Sequence, residues 1–507
     1  MLARLPTALL SALSTVLVSA LGAAPPSGPP PGGLDWAPNL NQGHAVDVAY
    51  ANGALRLTGP IGLLTLPAHP LPRSVGRLST ELDAVTPPGT AVEVDVRGRL
   101  PGGRWTEWLP SSPDTPTALP GPSNLVQLRL LLTAAPAPAA PGPAAEPAAP
   151  APAAVPGPAP AVPAPAVPAP AVPAPAVPAP AAPGSAARPE VRGLRVHAEE
   201  VPELRVSAPT EAASYRVFAT REGLVDGRTA NGHRIKRHDL FVALPSWRSL
   251  ADEDGSEYSV KVCAVGGRCA WAPVWDVGPW NTKDDYWSAH REEWHDLPQG
   301  TPEAEAAYRD GHNDGEDGTG RKVGNPAGID LSDGVFDAAL KLPDNGEVTV
   351  SYLWTGGQPL STVNAENQQT DTADQLAAAR STATPTTSTA STDSDKSDQT
   401  DSDKSDSDHS DNSDDHDKSD HGDKSDHDKS DDHGDKSSSG DDGLSADQAV
   451  PVRNAPSPDA PQVGVAAQDA GVPVECTTPN GWLRIGPDEY LPAGAVELAD
   501  DTAVGPC

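Results

Sequence analysis

Three separate stretches of the chain carry strand-like runs, and the first alternates apolar and polar residues with the two-residue period of a half-buried strand. In the first, Ala91-Val92-Glu93-Val94-Asp95-Val96-Arg97 and Val126-Gln127-Leu128-Arg129-Leu130 keep that period, and turns such as Gly102-Gly103 separate the runs. Short strands between regular turns predict a β-sandwich over 34–133. The second stretch, 188–355, holds β-branched and aromatic runs bounded by Gly, Pro and Asp: 214–220, 240–244, 258–263 and 348–353. Two short helices are expected within it, one at 302–311, where Glu and Ala are dense, and one over 333–340, capped by Ser332. The third stretch, 449–507, packs short strands into a segment of roughly sixty residues, a size at which a cross-link helps a small core.

Two long segments show neither period. Residues 134–187 form a Pro/Ala tract with a repeated Ala-Val-Pro-Ala-Pro unit. Proline at every second or third position forbids a helix and favours an extended spacer. Residues 356–448 begin rich in Thr and Ser and become a run of Asp, Ser, Lys and His. Asp outnumbers Lys there, so the segment repels itself and reads as a disordered linker. His409, His416, His421, His427 and His433 lie among those aspartates, and weak divalent-metal capture is the lesser alternative to a solvated spacer. The pattern calls for no cofactor and no resident metal.

The ends of the chain add a compartment. One positive charge near Met1, an apolar run over 8–21 and small residues at Ala20, Gly22, Ala23 and Ala24 follow the order of a secretory signal over 1–24. The run is shorter than the ~20 residues of a bilayer span, so the mature chain is expected to carry no transmembrane segment. A secreted, extracellular or wall-associated protein follows as the expectation. Cys263 and Cys269 flank a Gly-rich turn, and Cys476 and Cys507 share the last region. Two local disulfides suit an oxidising compartment, whereas neither pair has zinc-site spacing. The net charge of −34 argues against nucleic acid as a partner, because such binding needs clustered Lys and Arg. Trp105 and Trp108 are candidates for stacking on sugar rings. Three residues apart on a strand they face opposite sides, so at most one is exposed and the other is core.

The third stretch resembles bacterial SH3-like domains. It carries in order Val452-Arg453-Asn454-Ala455-Pro456-Ser457, Gly464, Val472-Pro473-Val474-Glu475-Cys476, Gly481-Trp482-Leu483-Arg484 and Tyr490-Leu491-Pro492-Ala493. The resemblance implies a small barrel that binds cell-wall peptides, with Trp482, Arg484 and Tyr490 as groove candidates. The alternative is that Trp482 fills the core.

The second stretch resembles the double-psi β-barrels of the rare-lipoprotein-A and expansin type. The resemblance rests on Gly227-Arg228-Thr229-Ala230-Asn231-Gly232, Phe241-Val242-Ala243-Leu244-Pro245, Val274-Trp275-Asp276-Val277-Gly278-Pro279-Trp280 and Ile329-Asp330-Leu331-Ser332. It implies that Asp276 is the general acid on a glycosidic bond of a wall glycan, with Asp330 as a second carboxylate and Asn231, Trp275 and Trp280 as binding residues. Val277 stands where the family has Arg, and Phe241 near where glycan-cleaving members have His; His233 and His238 lie close in sequence. An acidic, aromatic insertion over 281–325 is placed to cover or reshape the cleft. Two other readings remain: Asp276 capping a turn and Asp330 capping the following helix, and a barrel that binds without turnover, as expansin-like members do. The expected architecture is mainly β: a β-sandwich, a double-psi β-barrel-like domain and an SH3-like barrel on disordered linkers that let the barrel work at a distance from a wall-bound end. The expected role is binding or remodelling of peptidoglycan or another wall polysaccharide; the alternative is a structural, adhesive wall-binding protein.

Overall fold

The computed structural model describes residues 33–135, 187–200, 211–253, 255–367, 444–499 and 504–507. The signal-like leader, most of the Pro/Ala tract and the Asp/His-rich run lie outside them. The described chain is mainly β, and both expected helices are present, as Glu303–Asp310 and as a wide-turned helix Gly334–Leu340. Gly311 ends the first in the left-handed conformation, and the Ser332 hydroxyl accepts the Val335 N–H at the start of the second. No helix among the described residues is long and apolar enough to cross a membrane.

The first module is one ten-strand sheet folded around an apolar core that includes Leu55, Leu78, Val96, Leu128 and Leu130. Two long strands, His69–Val85 and Thr117–Thr133, pair with each other and carry most of the remaining strands. The sheet is completed from beyond the Pro/Ala tract. Glu190–Glu199 pairs antiparallel with His69–Val85, with Leu194 opposite Leu82 and His197 opposite Ser79. The boundary drawn at 188 therefore falls too early. Val191, Leu194, Val196 and Ala198 of this strand are buried in the first core, and their spacing alone does not say which core they join.

The second module is a closed barrel of six strands: β1 Ala213–Arg221, β2 Val242–Leu244, β3 Ser259–Ala264, β4 Cys269–Val277, β5 Ala327–Leu331 and β6 Gly346–Tyr352. They run in the order β2-β5-β1-β6-β3-β4, and β4 pairs back to β2. Two pairs are parallel, β1 with β5 and β2 with β4, and each contains a register shift. Val217, Val242, Val262, Val274, Ile329 and Val350 are fully buried in the core. The insertion 281–325 is not a flap. Tyr286 and Trp287 are buried among Tyr352 and Trp354, the Tyr286 hydroxyl donates to Gly328 O at 2.9 Å, and Asp284 pairs with Arg291 in the interior. A loop so rich in aromatic surface is drawn into the core rather than left over a cleft.

The small C-terminal module follows the expected strands, beginning with Ala449–Arg453 and Gln462–Ala467, and both disulfides, Cys263–Cys269 and Cys476–Cys507, are formed. It is not tethered at a distance. Gln462–Ala467 lies parallel along β4, with Gly464 opposite Cys269; a Cβ on Gly464 would stand 2.4 Å from the Cys269 carbonyl oxygen, so only glycine permits the approach. Leu360–Val363, counted in the linker from sequence, pairs with Gly471–Pro473 and Val496–Glu497.

The first module is joined to the barrel by buried arginines. The Arg97 guanidinium lies between the rings of Trp105 and Trp108, 4.6 and 4.2 Å from their centroids, and pairs with Asp252 at 2.8 Å and Glu257 at 2.7 Å. Arg129 covers Trp108 from 4.5 Å, bonds Asp95 within its own module and donates to Trp247 O across the boundary. Trp108 is buried while Trp105 is half-exposed, as the spacing of the two required. The spacer reading is thus corrected: the three modules share one body.

Replacing Arg97 by Ala leaves two carboxylates without their cation at a largely dry seam. The expected loss is on the order of 3 kcal/mol, read as a lowered denaturation midpoint. Arg97→Lys should recover little, because an ammonium cannot occupy the planar slot between two indoles. A midpoint unchanged by Arg97→Ala would remove the seam from the account of stability.

Candidate functional site

The barrel's strand register sets carboxylates side by side. Ala243 on β2 lies opposite Asp276 on β4 along one edge and opposite Asp330 on β5 along the other, and Thr220 on β1 lies opposite Asp330. At ~4.8 Å per strand the two aspartate backbones stand roughly 10 Å apart, with only a methyl group between them. The shift between Val242 and Ala243 is the device that aims Asp276. Val242 faces Val274 but Ala243 faces Asp276, so Trp275 is the extra residue of a bulge.

The oxygens are held individually. Asp276 Oδ1 accepts the Ala230 and Val277 backbone N–H groups, each at 2.8 Å. Asp330 Oδ1 accepts the Thr220 hydroxyl. A third acid, Glu222, joins them from the end of β1, its backbone N–H on Leu331 O at 2.9 Å and its carboxyl hydrogen-bonded to Asp276. Its Oε2 is buried and receives no N–H or hydroxyl donor.

Burial, then the bond to Asp276 and the charges of Asp276, Asp330 and Asp333, hold the Glu222 carboxyl well above the ordinary range. Burial also raises Asp276, but the bonds from Glu222, Val277 and Ala230 all favour its anion. Within the pair, burial and mutual repulsion therefore favour the acid form at Glu222, while the two amides favour the anion at Asp276. Burial pushes Asp330 up to about 6 against the Thr220 bond, with the Asp276 charge adding to the rise. The cluster thus combines a carboxyl biased toward its acid form, one fixed by backbone amides and a third that titrates in mildly acidic solution. Such a set suits proton donation and acceptance on either side of a bond. No group of three His, Cys, Asp or Glu side chains arranged to hold a metal ion occurs among the described residues.

The structure sorts the residues singled out from sequence. Asp276 and Asp330 are brought together, and Asp330 does not cap the following helix, since its carboxyl is engaged by Thr220. Asp276 does receive turn hydrogen bonds, and it holds them while bonded to Glu222. Trp275 is not a stacking surface: it is buried against His233 and Phe241, with ring centroids 4.5 and 5.9 Å away. Asn231 is buried as well, accepting the Thr229 hydroxyl and the His233 N–H and donating to Asp252 O, so it shapes the loop and cannot meet a ligand. His233 is committed to Asp239 at 2.7 Å. Trp280 remains half-exposed, its N–H on Asn325 and its ring under Arg321 at 4.8 Å. Glu222 was not foreseen; a carboxylate just past a strand end is common, and no motif ties it to Asp276.

In the C-terminal module Trp482, Arg484 and Tyr490 are all half-exposed, and Arg484 lies directly opposite Tyr490. Trp482 and Arg484, two apart on one strand, share a face. Arg484 is paired with Glu475 at 2.7 Å.

The sequence signature of a family described as a domain of unknown function (DUF8814) matches residues 213–351, which run from the first barrel strand into the last and include the insertion. No curated protein matches the chain.

A carboxyl raised by folding binds its proton more tightly in the native state. Its contribution is whole at pH values below the ordinary aspartate range and is lost as pH rises to about 6. Asp330→Asn keeps an acceptor for Thr220 and cannot ionise. The variant should match the wild type at pH 3 and exceed it in stability at pH 8 by roughly 2 kcal/mol. Equal stability of the two at pH 8 would show that Asp330 titrates as an ordinary surface acid.

Proposed function

We propose that this is a secreted, cell-wall-associated protein whose barrel binds and remodels peptidoglycan or another wall polysaccharide, with acid chemistry at the Glu222–Asp276 pair. The observation that carries the reading is the placement of Asp276 and Asp330 on either side of Ala243, with Glu222 beside them, Asp276 held by two backbone amides and Asp330 by Thr220. In a hydrolytic step the pair gives a proton to the glycosidic oxygen as the bond to the anomeric carbon breaks, and the leaving sugar departs as an alcohol. A water adds to the same carbon and yields its proton to Asp330, so the net change is addition of water across the bond. Asp276, anchored by two amides, orients the donor; afterwards Asp330 releases its proton to solvent and Glu222 takes one up, which restores the starting state. Trp280, half-exposed one turn from Asp276, and the Trp482–Arg484–Tyr490 face supply surfaces for sugar rings and wall peptides. The resemblance to rare-lipoprotein-A-type barrels supports the substrate class, and the leader-like start of the chain supports export.

Purified full-length protein is to be incubated with wall sacculi beside Asp276→Asn and Glu222→Gln. Soluble glycan fragments from the wild type, falling at least 100-fold in either variant, are the expected result. Sacculi retained by all three proteins with no fragments released would instead assign an adhesive, non-catalytic role.

A further inference from the structure

The loop that holds Asp276 is itself held from the first module. His44, on the strand His44–Val46, donates from Nε2 to the Asn231 carbonyl at 3.0 Å, and its Nδ1 lies 3.3 Å from Glu253. The neighbouring Gly232, at φ 103°, is packed so closely that a Cβ there would stand 2.8 Å from Val46 Cγ2 and 3.0 Å from His44 Nε2. Asn231 in turn donates its backbone N–H to the carbonyl of the bulge residue Trp275 at 3.2 Å.

A second observation converges on the same atoms. Val46, Leu63 and Leu131 of the first module form a buried cluster with Leu250 of the barrel, and Ala230 and Val277 pack against it. Ala230 and Val277 are the two residues whose N–H groups bind Asp276 Oδ1. Both amide donors to that carboxylate are therefore seated on the first module's surface. Val277, being apolar, suits this contact.

We infer that the first β-module is a positioning module for the barrel's carboxylate pair, and that His44 is its positioning residue, setting the Thr229–Gly232 loop so that the Ala230 amide reaches Asp276. The inference rests on reading the pair as the working site. His44 touches no reacting atom; it acts through Asn231 and Ala230. Removing its bond lets the loop drift, so the Asp276 anion loses a donor and its carboxyl shifts toward the acid form. The other charged groups facing the pair are Asp330 on β5 and Asp333 at the head of the wide-turned helix, and neither moves in this scheme.

The experiment is carbodiimide labelling of carboxyl groups in the full-length chain across a pH series, with Asp276 followed by peptide mass spectrometry. His44→Ala should raise the labelling midpoint of Asp276 by about one pH unit. His44→Gln, whose amide can donate to the same carbonyl, should leave it within a few tenths. Gly232→Ala, which forces the seam apart from the barrel side, should behave like His44→Ala, and melting curves of all three report whether the fold is kept. An unchanged midpoint in folded His44→Ala, or an equal shift in His44→Gln, overturns the inference. Labelling needs no turnover, so a wild type that releases no glycan but shows the shift would end the catalytic reading and leave the positioning role standing.

Discussion

The barrel closes through three residues. Val242, Ala243 and Leu244 are the whole of β2, yet they pair in parallel with β4 and antiparallel with β5, and without them the other five strands form an open sheet. Closure removes two sheet edges and seals the core, so this short strand is strongly constrained. Val242 and Leu244 must be apolar because both are wholly buried. Ala243 must be small because acids stand on either side of it. The register that completes the hydrogen bonding is the register that brings Asp276 and Asp330 within reach of one another. The fold's closure and the site's geometry are one constraint.

A second constraint follows from burying charge. Arg97 and Arg129 lie nine-tenths or more out of water, where an unpaired guanidinium is unsustainable. The first module supplies both cations and the Trp108 ring between them; the barrel supplies Asp252, Glu257 and the Trp247 carbonyl. Each half alone would leave opposite charges exposed beside apolar surface. This explains why the first module and the barrel behave as one body.

Much of this was legible in the sequence, for reasons that can be named. The alternation in Ala91–Gly98 located that strand because half-buried sheets impose a period of two, and the β-branched and aromatic runs located β1, β3 and β6. The three-residue spacing of Trp105 and Trp108 correctly divided them between surface and core. Cys263 and Cys269 across a glycine turn could hardly pair otherwise. Trp275 was misjudged because a bulge cannot be seen in a pattern of types: the residue beside a rim carboxylate faces the other way, into the cluster with Phe241 and His233. Asn231 looked like a ligand and serves a loop. Glu222 and the seam around His44 were invisible because each is defined by contacts between segments far apart in the chain, and a single sequence records no such pairs.

The energetic signature of the rim distinguishes it from the many other acids of this chain. The fully buried carboxylates among the described residues are each paired with a basic side chain, as Asp284 is with Arg291 and Asp285 with Arg248. Glu222, Asp276 and Asp330 are grouped instead with one another, share burial, and have only Thr220 and two backbone amides as donors from outside the group. Such an arrangement destabilises the folded chain, because three acids in one desolvated place cannot all ionise. A replacement by neutral residues would relieve that penalty without disturbing β-pairing, since the strand ladders are made by backbone groups. A cluster that the fold does not need, and that works against stability, is the kind of departure from local consistency that sites for chemistry or ligand binding produce.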